Sequence, residues 1–263
     1  MRYAVLSDIH SNVEALTSVM EQLSGLQIDK VIGLGDFVGF YTNPNECLDL
    51  LRNAQIEAVT GNHDLIAMGN AEPTYCSQRA KQSILWTRDR LAPRHKPYLL
   101  ELPEQRVIDD RFVLCHGSLR SPHQYVKSAD QSAEMFRDFR ERWDRYRICF
   151  FGHTHHPIVY SWDGREGTAV EVVRNRDVAL DPSRYYLINP GSVGQSRDND
   201  PRASFLVYDS SSELVRFHRV DYDHAACRQK ALSEGLISGG PRGSGLARSL
   251  RRLLGIGKGK GVL

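Results

Sequence analysis

Eight polar groups stand directly after apolar runs along this chain: Asp8 and His10, Asp36, Asn62 and His63, His116, and His153 and His155. A lone histidine at such a place is usually a hydrogen-bonded loop residue, and a lone aspartate a cap or turn former. Recurrence after five separate runs points instead to one assembled site. Carboxylates, imidazoles and one amide, with no thiolate among them, suit borderline divalent ions such as Mn, Fe, Co, Ni or Zn rather than a sulfur-rich structural zinc. Seven of these groups already exceed the three or four protein ligands of a single catalytic ion, whereas a bridging carboxylate can join two ions about 3.5 to 4 Å apart. Within Gly61-Asn62-His63-Asp64, the glycine permits close approach, the asparagine offers a neutral oxygen, the histidine titrates near neutrality and the aspartate can orient that ring.

The elements that must carry these groups alternate. Residues 2–7 read as a strand, and Val13, Leu16, Val19, Met20 and Leu23 recur at helical spacing behind a cap at Ser11 or Asn12. Lys30–Leu34 is a second strand, followed by a helix begun at Pro44 and reaching about Asn53. Ile56–Thr60 is a third strand, which places the tetrad in the loop at its carboxyl end. Residues 65–103 read as a mainly helical insertion able to shape a substrate pocket. Arg111–Cys115 and Ile148–Phe151 return to strand around a charged helix over Ala129–Arg145. From Ile158 the texture is β-rich, with runs at Val159–Tyr160, Ala169–Val173, Tyr185–Ile188, Phe205–Tyr208 and Leu214–Val220. The fold class predicted is α/β, two packed sheets flanked by helices.

At 263 residues the chain can bury one substantial core, so residues 1–235 are expected to form a single domain. The net charge of +2 conceals an asymmetry, because six cations and no acid lie from Leu236 onward, and +2 less those six leaves −4 on the body. A mildly acidic body argues against a nucleic-acid partner, which needs a basic track. Residues 236–263 read as a basic, glycine-rich, disordered tail. No apolar run approaches the ~18 residues of a membrane span, and no signal-peptide layout opens the chain, so a cytoplasmic location is expected. The five cysteines are widely spaced with no Cys-x-x-Cys pair and read as buried thiols.

The ordered set Asp8-x-His10, Gly35-Asp36, Gly61-Asn62-His63-Asp64, His116 and Gly152-His153-Thr154-His155 resembles the calcineurin-like metallophosphoesterase superfamily, over residues 1 to about 220. Asn189-Pro190-Gly191-Ser192 further resembles its small bacterial phosphodiesterase (YfcE-like) branch. The resemblance implies a four-layer sandwich and a site with two metal ions. Asp8, His10 and His155 would hold the first ion and Asn62, His116 and His153 the second, with Asp36 bridging. His63 would be the general acid, not a ligand, and Asp64 would hold its ring in the right tautomer. The implied reaction is hydrolysis of phosphodiesters, and of monoesters, through attack of a metal-bridging hydroxide, on a small nucleotide-like ester. Pyrophosphate links, as in dinucleoside polyphosphates, and protein phosphates are the alternative substrates, since one metal core serves all of them. A nuclease would need cations that only the tail offers. A non-catalytic scaffold, as in the retromer subunit of this superfamily, would be expected to lack part of the ligand set, and here every position is filled.

Overall fold

The computed structural model describes residues 1–74, 76–165 and 169–238. The chain runs β1 (Arg2–Leu6), α1 (Val13–Ser24), β2 (Lys30–Gly33), α2 (Pro44–Asn53), β3 (Glu57–Ala58), α3 (Asn62–Met68) and α4 (Gln78–Arg90). A 3-10 turn (Pro93–His95) leads to α5 (Lys96–Glu101), β4 (Gln105–Ile108), β5 (Phe112–Cys115), α6 (Ala129–Trp143) and β6 (Ile148–Phe150). The remainder is β7 (Pro157–Trp162), β8 (Glu171–Arg174), β9 (Val178–Ala179), β10 (Tyr185–Pro190), β11 (Ala203–Asp209), β12 (Leu214–Val220) and α7 (His224–Ser233).

Two mixed sheets of six strands form, in the orders β3-β2-β1-β11-β12-β9 and β4-β5-β6-β10-β7-β8. Strand alternation sorts the side chains into three cores. Tyr3 and Val5 of β1 face inward, meeting Phe112, Phe150, Ile188 and Tyr208 between the sheets. Ala4 and Leu6 face outward, against Leu16 and Val19 of α1 and Leu48 and Leu51 of α2. On the far side Val113, Cys149 and Leu187 are covered by Met135, Phe136 and Phe139 of α6. The sheet sandwich between helical layers is therefore the expected α/β architecture.

Strand direction decides where the chemistry can gather. β1, β2 and β3 are mutually parallel in the first sheet, and β5, β6 and β10 are parallel in the second. Their carboxyl ends meet at one edge of the sandwich, as open parallel sheets favour.

Two local expectations are corrected. Only Glu57 and Ala58 of the Ile56–Thr60 run pair as strand: Val59 N still reaches Gly33 O (3.1 Å), but Thr60 N turns away to Pro103 O (2.9 Å). The tetrad is not wholly in a loop: Gly61 is the N-cap of α3, and Asn62, His63 and Asp64 form that helix's first turn. Strand β4, strand β9 and helix α7 were not anticipated; α7 closes a small cluster in which Cys227, Ala231 and Leu236 pack with Phe40, Tyr41 and Ala80. Of the proposed tail, residues 236–238 are described and the rest lies outside the described residues.

Candidate metal centre

All eight strand-end groups converge in one buried cluster. Asp8, His10, Asp36 and His116 are essentially inaccessible, and Asn62, His63, His153 and His155 are each at most 5% exposed. Five of the residues expected as ligands reach their places only by adopting left-handed backbone: Asp8 (φ 54°), His10 (53°), Asp36 (53°), His153 (65°) and His155 (61°). That conformation costs roughly 1 to 2 kcal/mol for each non-glycine residue and persists only where surrounding contacts impose it. The contacts are backbone ties between the loops. Asp8 N donates to Gly35 O (3.1 Å), His10 N to Asp36 O (2.9 Å) and Gly152 N to His116 O (2.7 Å).

Hydrogen bonds at the rear of each ring select which atom points to the centre. His10 Nδ1 faces Val38 O (3.3 Å), His116 Nδ1 faces Leu34 O (2.6 Å), and His155 Nδ1 faces Gln195 O. A carbonyl can only accept, so each Nδ1 carries the proton and each Nε2 presents its lone pair when the ring is neutral. His153 is turned the other way, its Nε2 donating to His123 O (3.2 Å) and its Nδ1 left for the centre. The carboxylates are divided in the same manner. Asp8 Oδ2 accepts from Ser7 Oγ (2.7 Å) and His153 N (3.0 Å), and Asp36 Oδ1 accepts from His63 N (2.8 Å).

What remains inside is a set of electron-pair donors facing one another. His10 Nε2 lies 3.1 Å from His155 Nε2, and Asp8 Oδ1, which has no donor, lies 3.2 Å from His155 Nε2. Acceptors held at this range repel unless a cation stands among them, so the donor set fits a metal ion. Asp8, His10 and His155 form one such grouping, and Asp36, His116 and His153 another. Asn62 Oδ1 joins the second, 3.1 Å from His116 Nε2. Asp36 Oδ2, a member of the second grouping, lies 3.3 Å from His116 Nε2 and 3.8 Å from His10 Nε2 of the first.

The titration behaviour follows from burial and charge. Burial, joined by the neighbouring imidazoles, holds His10 well below the ordinary histidine range and brings His153 down to about 3, so both rings are neutral, the form that binds metal. Burial alone would raise Asp36, but His116 and His63 outweigh it and hold the carboxyl well below its ordinary value. Burial likewise opposes a charge on His116, yet Asp36 beside it wins and pushes it up to about 10.

His63 sits at the pocket end of this cluster. Its ring lies edge-on to His10 (centroids 4.7 Å) and tilted against Phe40 (4.9 Å), and its Nδ1 has no hydrogen-bond partner. It is also close enough to His10 and Asp36 for the three to form a third possible grouping. Burial brings it down to about 4, with Asp36 opposing. The expected partnership with Asp64 is corrected. Asp64 Oδ1 accepts from Phe37 N (3.0 Å) and Val38 N (3.2 Å), and Oδ2 from Gly61 N (3.0 Å). Both oxygens are taken up by backbone amides, because position N3 of α3 directs the side chain back at the cap and not along the helix surface to residue 63. Asp64 therefore ties the start of α3 to the loop after β2 that carries Asp36.

Asn189 and Ser192 brace the site from behind. Asn189 Nδ2 donates to Gly152 O (2.6 Å) and Thr154 Oγ1 (3.1 Å), and Ser192 Oγ donates to Asp8 O (2.8 Å). His156 turns back on Thr154 O (2.7 Å) and joins no grouping. Arg120 is spent on Asp138 (2.7 Å), whereas Arg197 reaches the pocket. That pocket, about 520 Å³, opens over Asp36, Asn62, His63, His153 and His155. Phe40 and Ala80 line one side and His123 and Tyr125 another; none of these four carried a signal in the sequence. Tyr41 lies in a neighbouring cavity of about 420 Å³ beside Gln195.

A family model described as a calcineurin-like phosphoesterase superfamily domain matches residues 1–213. The chain is 32% identical over 237 residues to an uncharacterized protein of Methanocaldococcus jannaschii, covering 89% of this chain and 93% of that protein. It is similar to the crystal structure of a metallophosphoesterase from Sphaerobacter thermophilus, with a TM-score of 0.75 and 33% identity over 90% of this chain and 95% of that one. A hypothetical protein from Pyrococcus horikoshii shares the fold at 20% identity, with a TM-score of 0.72 over 90% and 94% of the two chains.

Proposed function

The chain belongs to the calcineurin-like phosphoesterase superfamily, and on that premise we propose that it is a dinuclear-metal-dependent hydrolase of small, nucleotide-like phosphodiesters. Monoesters fall within the same chemistry. The observation that carries the reading is that Asp36 Oδ2 approaches both His10 Nε2 (3.8 Å) and His116 Nε2 (3.3 Å), which suits a carboxylate that would be shared by two ions. Asp8, His10 and His155 would hold one ion and Asn62, His116 and His153 the other. Two divalent ions of the Mn, Fe, Co, Ni or Zn group, when bound, neutralise the phosphate oxygens and activate water.

The protein's own groups do the rest. Nδ1–H donation to Val38, Leu34 and Gln195 fixes three rings before substrate arrives, so little reorganisation is left for the reaction. His63, at the pocket end and against Phe40, acts as the acid that protonates the leaving oxygen. With the first ion's ligands already supplied by Asp8, His10, His155 and Asp36, His63 is left for that task. Phe40 and Ala80 beside it provide an apolar wall for the departing group.

Pyrophosphate links and protein phosphates are the competing substrates. The test is turnover of bis(p-nitrophenyl) phosphate, p-nitrophenyl phosphate, a cyclic nucleotide and a dinucleoside tetraphosphate by chelator-stripped protein, with each metal restored separately. Metal-dependent diester hydrolysis exceeding the other activities is expected. A fully metal-loaded protein inert toward all four esters refutes the reading and returns the chain to the scaffold class.

A further inference from the structure

The pocket is asymmetric, and its second wall is not used by the chemistry above. Opposite Phe40 and Ala80 stands the segment after β5, where Val126 is buried in the core behind the second sheet and pins Tyr125 and Lys127 on either side of it. The Tyr125 ring stacks on His153 (centroids 3.8 Å, planes 20° apart), and Lys127 Nζ sits over that ring at 3.6 Å. Two groups cannot share one face of a ring, so tyrosine is a spacer that carries an ammonium above a metal-ligand candidate. Arg197 reaches the same rim from the loop after β10, its Nη2 donating to Gln195 Oε1 (3.1 Å). Among the described residues no carboxylate lies within ion-pair distance of Lys127 or Arg197, although Arg120, Arg202 and Arg219 are each paired with an aspartate. Tyr125 and Arg197 line the same pocket, so the ammonium carried on Tyr125 and the guanidinium stand at one rim; loss of hydration, and then the Arg197 charge, lower Lys127 from its ordinary value.

Two exposed like charges, unneutralised and converging beside a phosphate site, cost self-repulsion unless an anion joins them. We propose that Lys127, carried on the Tyr125 ring, and Arg197, on the pocket lining, form a subsite for a second phosphate of the substrate, on the side of the scissile phosphate away from His63. The inference rests on the proposed phosphoesterase reading and narrows its substrate class. The leaving group lies against Phe40 and His63, and the retained group carries a further phosphate toward the cationic rim. A nucleotide bearing a second phosphate meets that description, whether the second group is attached through sugar or through an anhydride.

The test compares two esters with the same leaving group, thymidine 5′-(p-nitrophenyl phosphate) and its analogue with an added 3′-phosphate, using the full chain loaded with Mn. The wild type is expected to prefer the 3′-phosphorylated ester in kcat/KM, mainly through KM. Lys127→Ala with Arg197→Ala should reduce that preference about tenfold, two partly exposed charge contacts each contributing a few-fold. Lys127→Arg with Arg197→Lys should restore most of it. A parallel readout free of turnover is the dissociation constant of thymidine 3′,5′-bisphosphate relative to thymidine 5′-monophosphate, whose ratio should change by the same factor. An equal loss on both esters, or an unchanged ratio, overturns the subsite while leaving the hydrolase reading intact. Wild-type protein that cleaves neither ester overturns the parent reading and the subsite with it. Replacing the 3′-phosphate by a 5′-diphosphate link separates the two sources of the second phosphate, and either one retaining the charge-dependent preference supports the subsite.

Discussion

Gly61→Ala is the sharpest probe of how the two metal groupings are joined. Gly61 has φ −101° and ψ 170°, a conformation open to any residue, so alanine introduces no backbone strain. By itself the change should stabilise the protein by about 0.4 to 1 kcal/mol through the unfolded chain. The new methyl, however, would lie 2.2 Å from both Asp36 N and Asp36 Oδ1, against an ordinary contact of 3.4 Å or more. Relieving it requires Asp36 or the start of α3 to move by about 1 Å, and neither is free. Asp36 Oδ1 is held by His63 N (2.8 Å), while Gly61 N is held by Asp64 (3.0 Å). Overpacking of this kind costs about 1 to 3 kcal/mol, which exceeds the entropic gain, so a net loss of roughly 1 to 2 kcal/mol is expected. Displacing the Asp36 carboxylate, the proposed bridge, by about 1 Å should lower kcat/KM by about 10²-fold and weaken the second metal equivalent. Thermal melts, metal titration and ester turnover read the three effects. Gly69→Ala is the control: its φ of 81° makes alanine strained, yet nothing lies within 4 Å, so stability should fall by about 1 kcal/mol with turnover kept. Gly61→Ala protein that is more stable than wild type and fully active would refute the close joining of Gly61 to Asp36.

The other expectations concern single side chains. His63→Ala should keep both metal equivalents by elemental analysis while turnover of alkyl esters falls about 10² to 10⁴-fold, and less for p-nitrophenyl esters; loss of metal would make it a ligand. Asp64→Ala strands the buried amides of Phe37, Val38 and Gly61 and should cost about 3 kcal/mol in chemical denaturation. If stability is instead kept and only turnover falls, Asp64 acts on the His63 ring after all. His95 is fully buried with neither ring nitrogen hydrogen-bonded, and burial lowers its pKa despite Asp49 at 3.4 Å. A folded value below the unfolded ~6.5 means the unfolded chain binds the proton first, so stability is lost as pH falls below about 6.5. His95→Leu should flatten that part of the stability curve, and an unchanged acid slope relative to wild type would show that the ring does not contribute.

Much of the molecule is legible from residue order because the signals are local. Apolar runs of four or five residues, each ended by a carboxylate or an imidazole, announce both the strands and the side of the sheet on which chemistry gathers. The helical spacing of Leu16, Val19 and Leu23 announces the face that α1 buries. What could not be read is whatever depends on distant segments meeting. The Ile56–Thr60 run has strand composition throughout, but only the approach of Pro103 decides that Thr60 leaves the sheet. Asp64 looked like the natural partner of its neighbour His63, and folding gave its oxygens to amides from residues 37, 38 and 61. Tyr125, Phe40 and Arg197 carry no motif, and they matter only because three loops close over one pocket. The sequence by itself determined the inventory of donors and their order at the strand ends, since side-chain chemistry travels with the residue. Tertiary structure alone decided which lone pair each donor presents, because that depends on carbonyls such as Val38, Leu34 and Gln195 arriving behind the rings.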